Sequence, residues 1–336
     1  MDPVDALDAL PRLRLCQLPT PIQRLDRLEE RLGITDGPRL SIKRDDLTGL
    51  GLGGNKGRKL EFALAEAQDQ GADAVLTRGG VQSNHCRQTA IAGAALGFEV
   101  HLFLKGDRPE RFTGNLIPSE LCGAVFHFVA PQSPGAADAY AAEPSMAAFA
   151  EQLRSEGRRP YLIPAGASNV TGAMGYVNAA REIKAQEGEL GAPFDAIFHA
   201  TGSTGTQAGL LAGARLFGLG ARVFGVAVGT VTNPDVRRTD IAEFATKILA
   251  RLGSPDAVGV EDVSLLTEYV GEGYAVPTPE CQATVRLLAE RAGIFLDYTY
   301  TGKAMAGLLD QIERGAFEPA DRVLFIHTGG HIALFA

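Results

Sequence analysis

Short apolar runs alternate with longer segments of helical periodicity along most of the chain. The runs are rich in β-branched or aromatic residues and predict eight strands, at 73–77, 98–104, 124–129, 161–165, 196–200, 222–228, 294–298 and 322–327. Other segments repeat apolar residues every three or four positions, which predicts helices at 59–71, 171–188 and 279–293. Strands of nearly continuous hydrophobicity, each followed by a helix, are typical of parallel sheets covered on both faces. The pattern therefore predicts an α/β protein.

Two interruptions of this alternation favour two sheets over one. Residues 131–147 and 229–241 are rich in prolines, small residues and turn formers, which predicts loops. We place domain boundaries near residues 50 and 165. The prediction is a large domain of residues 1–50 plus 165–336 and a small domain of residues 51–164.

Composition narrows the classes of function. The 336 residues are 45% hydrophobic, with 40 acidic and 32 basic side chains and a formal net charge of −8. A chain this acidic lacks the basic surface that nucleic-acid binding normally requires. The first thirty residues contain acids and prolines instead of a basic start and an apolar core, and no run of about twenty apolar residues follows. We therefore expect a cytoplasmic protein with neither a nucleic acid nor a membrane as partner.

The glycine-rich segment 49–54 leads directly to Asn55, Lys56 and a predicted helix. Glycine has no Cβ and tolerates positive φ, so such a loop lets the backbone approach a ligand closely. Lys56 would lie at a helix N-terminus, where the dipole and the neighbouring Arg58 and Lys59 disfavour its charged form, and a neutral lysine can attack a carbonyl. On this segment alone a solvated lysine after a flexible loop is the simpler alternative. A nucleotide-binding P-loop is excluded because Asn55 stands where glycine must precede the lysine.

A second glycine-rich turn follows the predicted strand 196–200. The backbone N–H groups and hydroxyls of its residues predict an anion site sized for one phosphate, with no charged side chain needed, at Gly202, Ser203, Thr204, Gly205 and Thr206. A dinucleotide site is excluded because G-x-G-x-x-G is absent and the strand 222–228 does not end in the acid that holds a ribose. A plain strand-to-helix turn with a hydroxyl cap is the structural alternative.

A third turn between strand and helix, within residues 78–97, contains Ser83, Asn84 and His85. Uncharged hydrogen-bonding groups at a helix start can bind a substrate carboxylate through side chains and backbone amides together. His85 alone is weak support for a site, because no matching ligands accompany it.

The other histidines and the cysteines predict no metal site. Histidines within strand-like runs are expected to be structural, and the pair that straddles two glycines does not match the face of a helical zinc site; these are His101, His127, His327 and His331. The four cysteines are widely separated and form no CxxC pair, which favours reduced thiols.

Six segments, in order and spanning nearly the full chain, carry a specific resemblance: GGNKGRKLEF, QSNHCRQTA, ATGSTGTQAGL, GEGYAVPTPE, YTGKAMAGL and LFIHTGG. Together they resemble the D-cysteine desulfhydrase and 1-aminocyclopropane-1-carboxylate (ACC) deaminase family of pyridoxal 5′-phosphate enzymes, which belong to the tryptophan synthase β-subunit type. The resemblance implies fold type II, with two open, mostly parallel twisted sheets flanked by helices and the cofactor between a large and a small domain. It also implies a homodimer.

The resemblance assigns residues to the cofactor. It implies that Lys56 holds pyridoxal 5′-phosphate covalently, that Asn84 contacts the ring hydroxyl, and that residues 202–206 bind the phosphate. Thr328 matches the residue facing the pyridine nitrogen. A hydroxyl, unlike a carboxylate, gives no reason for that nitrogen to stay protonated, which favours quick loss of a β-substituent over a long-lived carbanion.

The resemblance also assigns residues to the substrate, a small amino acid. Ser83, beside Asn84 and His85, lies at the substrate carboxylate. Tyr274 and Tyr300 match the two active-site tyrosines, of which Tyr300 would protonate the leaving group. The predicted reaction is α,β-elimination, with D-cysteine as the leading substrate and pyruvate, ammonia and hydrogen sulfide as products.

Departures from the family pattern leave the substrate open. Thr301 and Thr328 stand where ACC deaminases have glutamate and leucine, which favours the desulfhydrase. Tyr298 and His331 replace usual residues, so L-cysteate, ACC, another β-substituted amino acid and either enantiomer stay alternatives. A non-catalytic cofactor-binding protein is the competing class, and retention of Lys56 and the phosphate turn favours the enzyme.

Overall fold

The computed structural model describes residues 2–129 and 142–336. The strands in this part of the chain are β1 (Ile22–Arg24), β2 (Arg39–Lys43), β3 (Ala74–Gly80), β4 (Glu99–Lys105), β5 (Val125–Val129), β6 (Pro160–Ile163), β7 (Ala196–Thr201), β8 (Arg222–Ala227), β9 (Ser264–Leu266) and β10 (Arg322–Ile326). The α-helices are α1 (Pro3–Asp8), α2 (Asp26–Arg31), α3 (Lys56–Asp69), α4 (Asn84–Leu96), α5 (Leu116–Leu121), α6 (Ala142–Ser155), α7 (Val170–Leu190), α8 (Gly205–Phe217), α9 (Pro234–Arg251), α10 (Pro279–Ala292) and α11 (Thr301–Glu313). None of these helices is both long enough and apolar enough to cross a membrane.

The larger sheet has the strand order β1-β2-β10-β7-β8-β9, and only the edge pair β1–β2 is antiparallel. Consecutive residues of a strand point to opposite faces, so a strand covered on both faces needs apolar residues at every position. In β7, Ile197 packs into a core with residues of α7 and α8, whereas Phe198 packs into a core with residues of α10 and α11. Helices therefore cover both faces.

The smaller sheet is fully parallel, with the order β5-β4-β3-β6. Helices cover both faces of this sheet as well. Val75 of β3 packs in a core with α3 and α4, and Leu76 packs in a core with α6. Two mostly parallel sheets flanked by helices confirm the predicted fold class. The strands of the smaller sheet lie between residues 74 and 163, and the domain boundaries near residues 50 and 165 stay a prediction.

The structure corrects three sequence-based assignments. Residues 294–298 form no strand, because the backbone there turns so that Asp297 can cap the next helix. Part of each predicted loop is helical: α9 begins at Pro234, where Asn233 accepts hydrogen bonds from the first-turn amides, and α6 begins at Ala142. The rest of the first predicted loop, residues 131–141, lies outside the described residues.

The candidate functional residues lie at the carboxyl ends of parallel strands. β2, β10 and β7 are neighbours, and each is followed by a turn that contains predicted site residues. β3 of the smaller sheet leads to Ser83 at the start of α4. Ligands of open α/β sheets bind at such strand ends, so this edge is the place to examine for chemistry.

Candidate active site

The glycine-rich loop before α3 sets the position of Lys56. Gly53 has a φ of 70°, and a Cβ at this residue would overlap the carbonyl oxygen of Asp46. The Gly53 carbonyl accepts hydrogen bonds from Arg87 Nη2 at 2.9 Å and from Gln88 Nε2 at 3.0 Å, both on α4. The loop is thus tied to the helix that carries the third predicted turn, and only glycine fits at its centre.

Lys56 is the first residue of α3, and burial lowers its pKa from 10.5 to about 8. At pH 7.5 about a quarter of such amines are neutral, compared with about 0.1% for an ordinary lysine. The predicted direction of the pKa shift is confirmed, but the cause is burial and not a neighbouring cation. The guanidinium of Arg58 is instead paired with Asp45 at 2.7 Å and Glu182 at 2.9 Å.

Residues 202–204 form the turn between β7 and α8, and Gly205 and Thr206 are the first residues of the helix. Thr204, the N-cap residue, has a φ of 64° and makes no side-chain hydrogen bond to the helix end. Thr204 therefore caps none of the first-turn N–H groups of α8, and N–H groups at the start of a helix attract an anion. At the end of β7, the hydroxyl of Thr201 is buried without a hydrogen-bond partner.

Two contacts hold this turn in place. Ser168 donates a hydrogen bond to the Ser203 carbonyl and accepts one from the Gly205 N–H at 2.8 Å. Asn55 Nδ2 donates to Thr206 Oγ1 at 3.2 Å. The contact from Asn55 joins the start of α8 to the loop before Lys56, so these two predicted features lie side by side.

Lys59 lies beside the 202–206 turn, to which sequence reasoning did not assign it. Its side chain is 0% exposed, its Nζ lies 3.4 Å from the Gly166 carbonyl oxygen, and it lies 3.1 Å from where a Cβ on Gly205 would be. Burial, and then the charge of Lys56, lower the pKa of Lys59 well below its usual value. The structure thus places a buried lysine amine beside a turn for which no charged side chain was expected. The available signal was the spacing from Lys56, since residues three apart share a helix face.

Gly166 brings the reactive amine and the phosphate turn together. Its φ is 67°, and a Cβ on it would lie 2.6 Å from Ser203 Oγ and 3.5 Å from Lys56 Nζ. The start of α8, the buried amine of Lys59 and the amine of Lys56 thus lie close to one another. This set of donors fits pyridoxal 5′-phosphate, which has one phosphate and one aldehyde.

The start of α4 presents hydrogen-bonding groups of fixed orientation. Ser83 is the N-cap residue and accepts a hydrogen bond from the Cys86 N–H at 3.2 Å. Asn84 Oδ1 accepts one from Asn115 Nδ2 at 3.1 Å. Because its oxygen is occupied in this way, Asn84 can present its NH2 group as a donor.

The ring of His85 is directed into the smaller sheet. Thr77 donates its only hydroxyl proton to the Ile163 carbonyl at 2.8 Å, so His85 Nε2, 2.8 Å from the Thr77 oxygen, must carry the proton of the second bond. Burial and the charges of Lys56 and Lys59 lower the pKa of His85 well below its usual value. The side chain is therefore a neutral, structurally bonded imidazole.

Tyr274 and Tyr300, 26 positions apart, form a pair. Their hydroxyls are hydrogen-bonded, and their ring centroids lie 5.8 Å apart at an interplanar angle of 74°. Burial, and then Tyr274, raise the pKa of Tyr300 well above its usual value, so this phenol retains its proton. Asp297 orients Tyr300 by accepting hydrogen bonds from the Thr299 and Tyr300 N–H groups, both at 2.9 Å.

Thr328 lies against the loop of Lys56, two residues after β10. Its carbonyl oxygen accepts a hydrogen bond from the Asn55 N–H at 3.0 Å, and the residue is buried. The backbone of Thr328 thus contacts the residue directly before Lys56.

The residues that depart from the family pattern differ in their burial and in their hydrogen bonds. The hydroxyl of Thr301 is buried and donates to Asp297 Oδ1 at 2.7 Å, so it is occupied by the residue that accepts from the first N–H of α11. Tyr298 is 38% exposed to solvent. His331 Nδ1 is buried without a partner, and its ring lies 6.2 Å from that of His327.

Of the remaining histidines, His101 and His127 contact each other, which fits the structural role expected of them, and His327 bonds to backbone groups. His101 Nδ1 lies 3.1 Å from His127 Nε2. His327 bonds to the Phe295 carbonyl oxygen at 3.0 Å and accepts from the Gly329 N–H at 3.2 Å. Within residues 2–129 and 142–336, no cluster of three or more histidines, cysteines and acids is arranged to hold a metal ion.

Comparison with known proteins gives a family match over most of the chain. A model of the family described as pyridoxal-phosphate dependent enzyme matches residues 13–329. The matched range contains both sheets and every predicted site residue from Lys56 to Thr328.

Relatives are similar over nearly their full length. D-cysteine desulfhydrase of Yersinia enterocolitica is 39% identical over 333 residues, covering 98% of this chain and 97% of that protein. D-cysteine desulfhydrase of Klebsiella pneumoniae is 38% identical over 337 residues, with the same coverage. A crystal structure described as an ACC deaminase homologue has a TM-score of 0.88 at 36% identity, covering 99% of this chain and 96% of that one. An O-ureido-L-serine synthase, at 18% identity and a TM-score of 0.68, shares the fold.

Proposed function

The chain belongs to the family of pyridoxal-phosphate dependent enzymes, and from this premise we propose that it catalyses α,β-elimination from a small β-substituted amino acid, with D-cysteine as the preferred substrate. The net reaction converts D-cysteine and water into pyruvate, ammonia and hydrogen sulfide. The observation that carries the proposal is the position of the Lys56 amine, whose pKa burial lowers to about 8, beside the start of α8 and the buried amine of Lys59. The names of the relatives supply the substrate class.

Five groups would hold the cofactor. Lys56 would bind it covalently, while the turn 202–206 and Lys59 would bind its phosphate. Asn84 would contact the ring hydroxyl, and Thr328 would lie at the ring nitrogen. When bound, pyridoxal 5′-phosphate supplies the electron sink that stabilises negative charge at the substrate Cα.

Three groups would act on the substrate. Ser83 and the first amides of α4, including that of His85, bind the substrate carboxylate. The amine of Lys56 accepts the proton from Cα, because it is partly neutral near pH 7.5. Tyr300 remains protonated and donates its proton to the departing sulfur as the Cβ–S bond breaks, with Tyr274 fixing the direction of its hydroxyl.

ACC ring opening is the second candidate, because a structure named as an ACC deaminase homologue matches at 36% identity. The position after Tyr300 argues against it. Thr301 brings no carboxylate to this position, and its hydroxyl is bonded to Asp297. Opening a cyclopropane needs additional acid–base assistance, which this side chain does not supply.

A parallel assay of D-cysteine, L-cysteine, L-cysteate and ACC tests the proposal. We expect pyruvate and sulfide from D-cysteine at the highest kcat/KM. Faster formation of 2-oxobutanoate from ACC would overturn the substrate assignment, as would sulfite release from L-cysteate in the absence of turnover of D-cysteine. Cofactor binding without turnover of any of the four would favour a non-catalytic binding protein.

We also propose that the enzyme is a cytoplasmic homodimer. The resemblance supports the dimer, and the four cysteines, all free, are compatible with a reducing compartment. Light scattering coupled to size-exclusion chromatography tests the dimer, and a monomeric mass at assay concentration would contradict it.

A further inference from the structure

The segment that carries Tyr274 runs over the surface between β9 and α10. Its backbone includes positive φ values at Gly271, Gly273 and Ala275, and Tyr274 itself is 49% exposed. Such a segment opens at low cost in free energy unless other elements hold it. The hydroxyl of Tyr274 nevertheless has to meet that of Tyr300, which belongs to a different element.

Helix α11 supplies the contacts that hold this segment. Lys303 Nζ donates hydrogen bonds to the Val270 carbonyl at 2.7 Å and to the Gly273 carbonyl at 2.8 Å. Gly273 is the residue directly before Tyr274. Near the other end of the helix, the hydroxyl of Tyr269 bonds to Asp310 and accepts from Gln311 at 2.8 Å. Both attachments connect the segment to one helix.

Lys303 lies where a cation is unfavourable. It is in the first turn of α11, where the helix dipole disfavours positive charge, and its side chain is 0% exposed. Burial lowers its pKa, and Cys281 and Asp297 offset this only in part. An unbranched apolar side chain would fill the same space without these electrostatic penalties. Local violations of this kind are expected where a residue serves a site.

The register of α11 connects Lys303 to the reaction. Tyr300 is the N-cap residue of the helix and Lys303 is its third residue, so one turn carries both Tyr300 and the donor to Gly273. We propose that Lys303 is a positioning residue that holds the hydroxyl of Tyr274 against that of Tyr300. The inference rests on the proposed function, in which Tyr300 donates a proton to the leaving group.

A double-mutant cycle tests this assignment with the cofactor-loaded enzyme. Lys303→Met and Tyr274→Phe are each expected to lower kcat for D-cysteine while changing KM less. The double variant should lose no more than Tyr274→Phe alone, to within about twofold, the usual scatter of additivity. Lys303→Arg keeps the donors and should retain more activity than Lys303→Met. Losses that simply multiply would overturn the proposal.

Hydrogen–deuterium exchange supplies a readout that does not depend on turnover. Lys303→Met should accelerate amide exchange in residues 270–276 and leave residues 56–69 unchanged, with an unfolding midpoint near that of the native protein. Lys247→Met, at an exposed position of α9, is the matched control and should change neither. Unchanged exchange in 270–276, or a global loss of protection, would refute the positioning role. If the native enzyme did not convert D-cysteine, the proposed function would fail, and the exchange comparison would still decide the role of Lys303.

Discussion

Replacing Lys59 with methionine distinguishes a role in binding the cofactor phosphate from a role in stabilising the fold. The side chain is 0% exposed, and its only hydrogen-bond partner among the described residues is the Gly166 carbonyl oxygen, at 3.4 Å. A buried ammonium with so little compensation destabilises the protein when no anion is present. With phosphate bound, the same ammonium makes a charge-assisted contact. The substitution should therefore act in opposite directions with and without the cofactor.

The magnitude with the cofactor follows from that contact. A hydrogen bond to a charged group contributes about 2–3 kcal/mol, which corresponds to about 30- to 150-fold in affinity. Lys59→Met should weaken cofactor binding by this factor, as measured by titrating the cofactor-free protein with pyridoxal 5′-phosphate and following absorbance. Lys247→Met removes an exposed lysine, 67% accessible at its side chain, and should bind as the native protein does.

The effect without the cofactor depends on pH. The pKa of Lys59 is lowered in the folded protein, so between that pKa and the usual value of 10.5 the unfolded chain binds more protons than the folded one. The stability of the native cofactor-free protein should therefore rise with pH, by at most about 1.4 kcal/mol per pH unit from this group. Lys59→Met lacks this slope and should be the more stable protein at neutral pH, with the difference closing as the pH rises.

Calorimetry from pH 6 to 10, with and without cofactor, measures both effects. The expected result is a reversal, in which Lys59→Met has the higher Tm without cofactor and the lower Tm with it. A variant that bound the cofactor with native affinity would refute the phosphate role. A cofactor-free variant less stable than the native protein at every pH would refute the electrostatic argument.

Three further predictions concern the same site. Lys56→Ala should abolish covalent attachment of the cofactor and turnover with little change in Tm, and attachment of the cofactor at another lysine would contradict the assignment. The rate at which the cofactor becomes covalently attached to the cofactor-free native protein should rise with pH through about 8 and then level off, because only the neutral amine of Lys56 reacts. A rate that does not change over this pH range would show that another step or group limits attachment. Gly166→Ala places a methyl group 2.6 Å from Ser203 Oγ at a φ of 67°, a strain of about 1–2 kcal/mol, and should weaken cofactor binding about tenfold. Gly188→Ala is the control, because a Cβ there meets nothing within 4 Å, and it should bind the cofactor as the native protein does. Equal affinities of the two variants would contradict the predicted crowding.

The regular part of the fold was predictable because its signals are local. Buried parallel strands have continuous hydrophobicity, and seven of the eight predicted strands are present. The exception, 294–298, has strand-like composition, but Asp297 turns its carboxylate onto the start of α11. The missed strands β1 and β9 have three residues each, and β2 contains Ser41 and Lys43, which are buried although polar. A search for apolar runs detects neither three-residue strands nor strands that contain buried polar residues.

The local structure at Lys56 and 202–206, a glycine-rich turn followed by a helix, was predictable from the sequence, whereas the binding roles of these residues stay a proposal. Lys59 and Lys303 were not assigned, because their contacts depend on tertiary structure. Lys59 reaches Gly166, 107 positions away, and Lys303 reaches a segment about thirty positions earlier. A lysine inside a helix is usually a solvated residue, and only the packed structure shows that these two are buried.

The identity of the lysine that holds the cofactor is the most direct test of the account. The enzyme purified with pyridoxal 5′-phosphate should be reduced with borohydride, digested, and examined by peptide mass spectrometry. We predict the mass of the reduced cofactor on Lys56 alone, with Lys59, Lys43 and Lys303 unmodified. A cofactor found on any of those three lysines, or on no peptide, would contradict the site described for this enzyme.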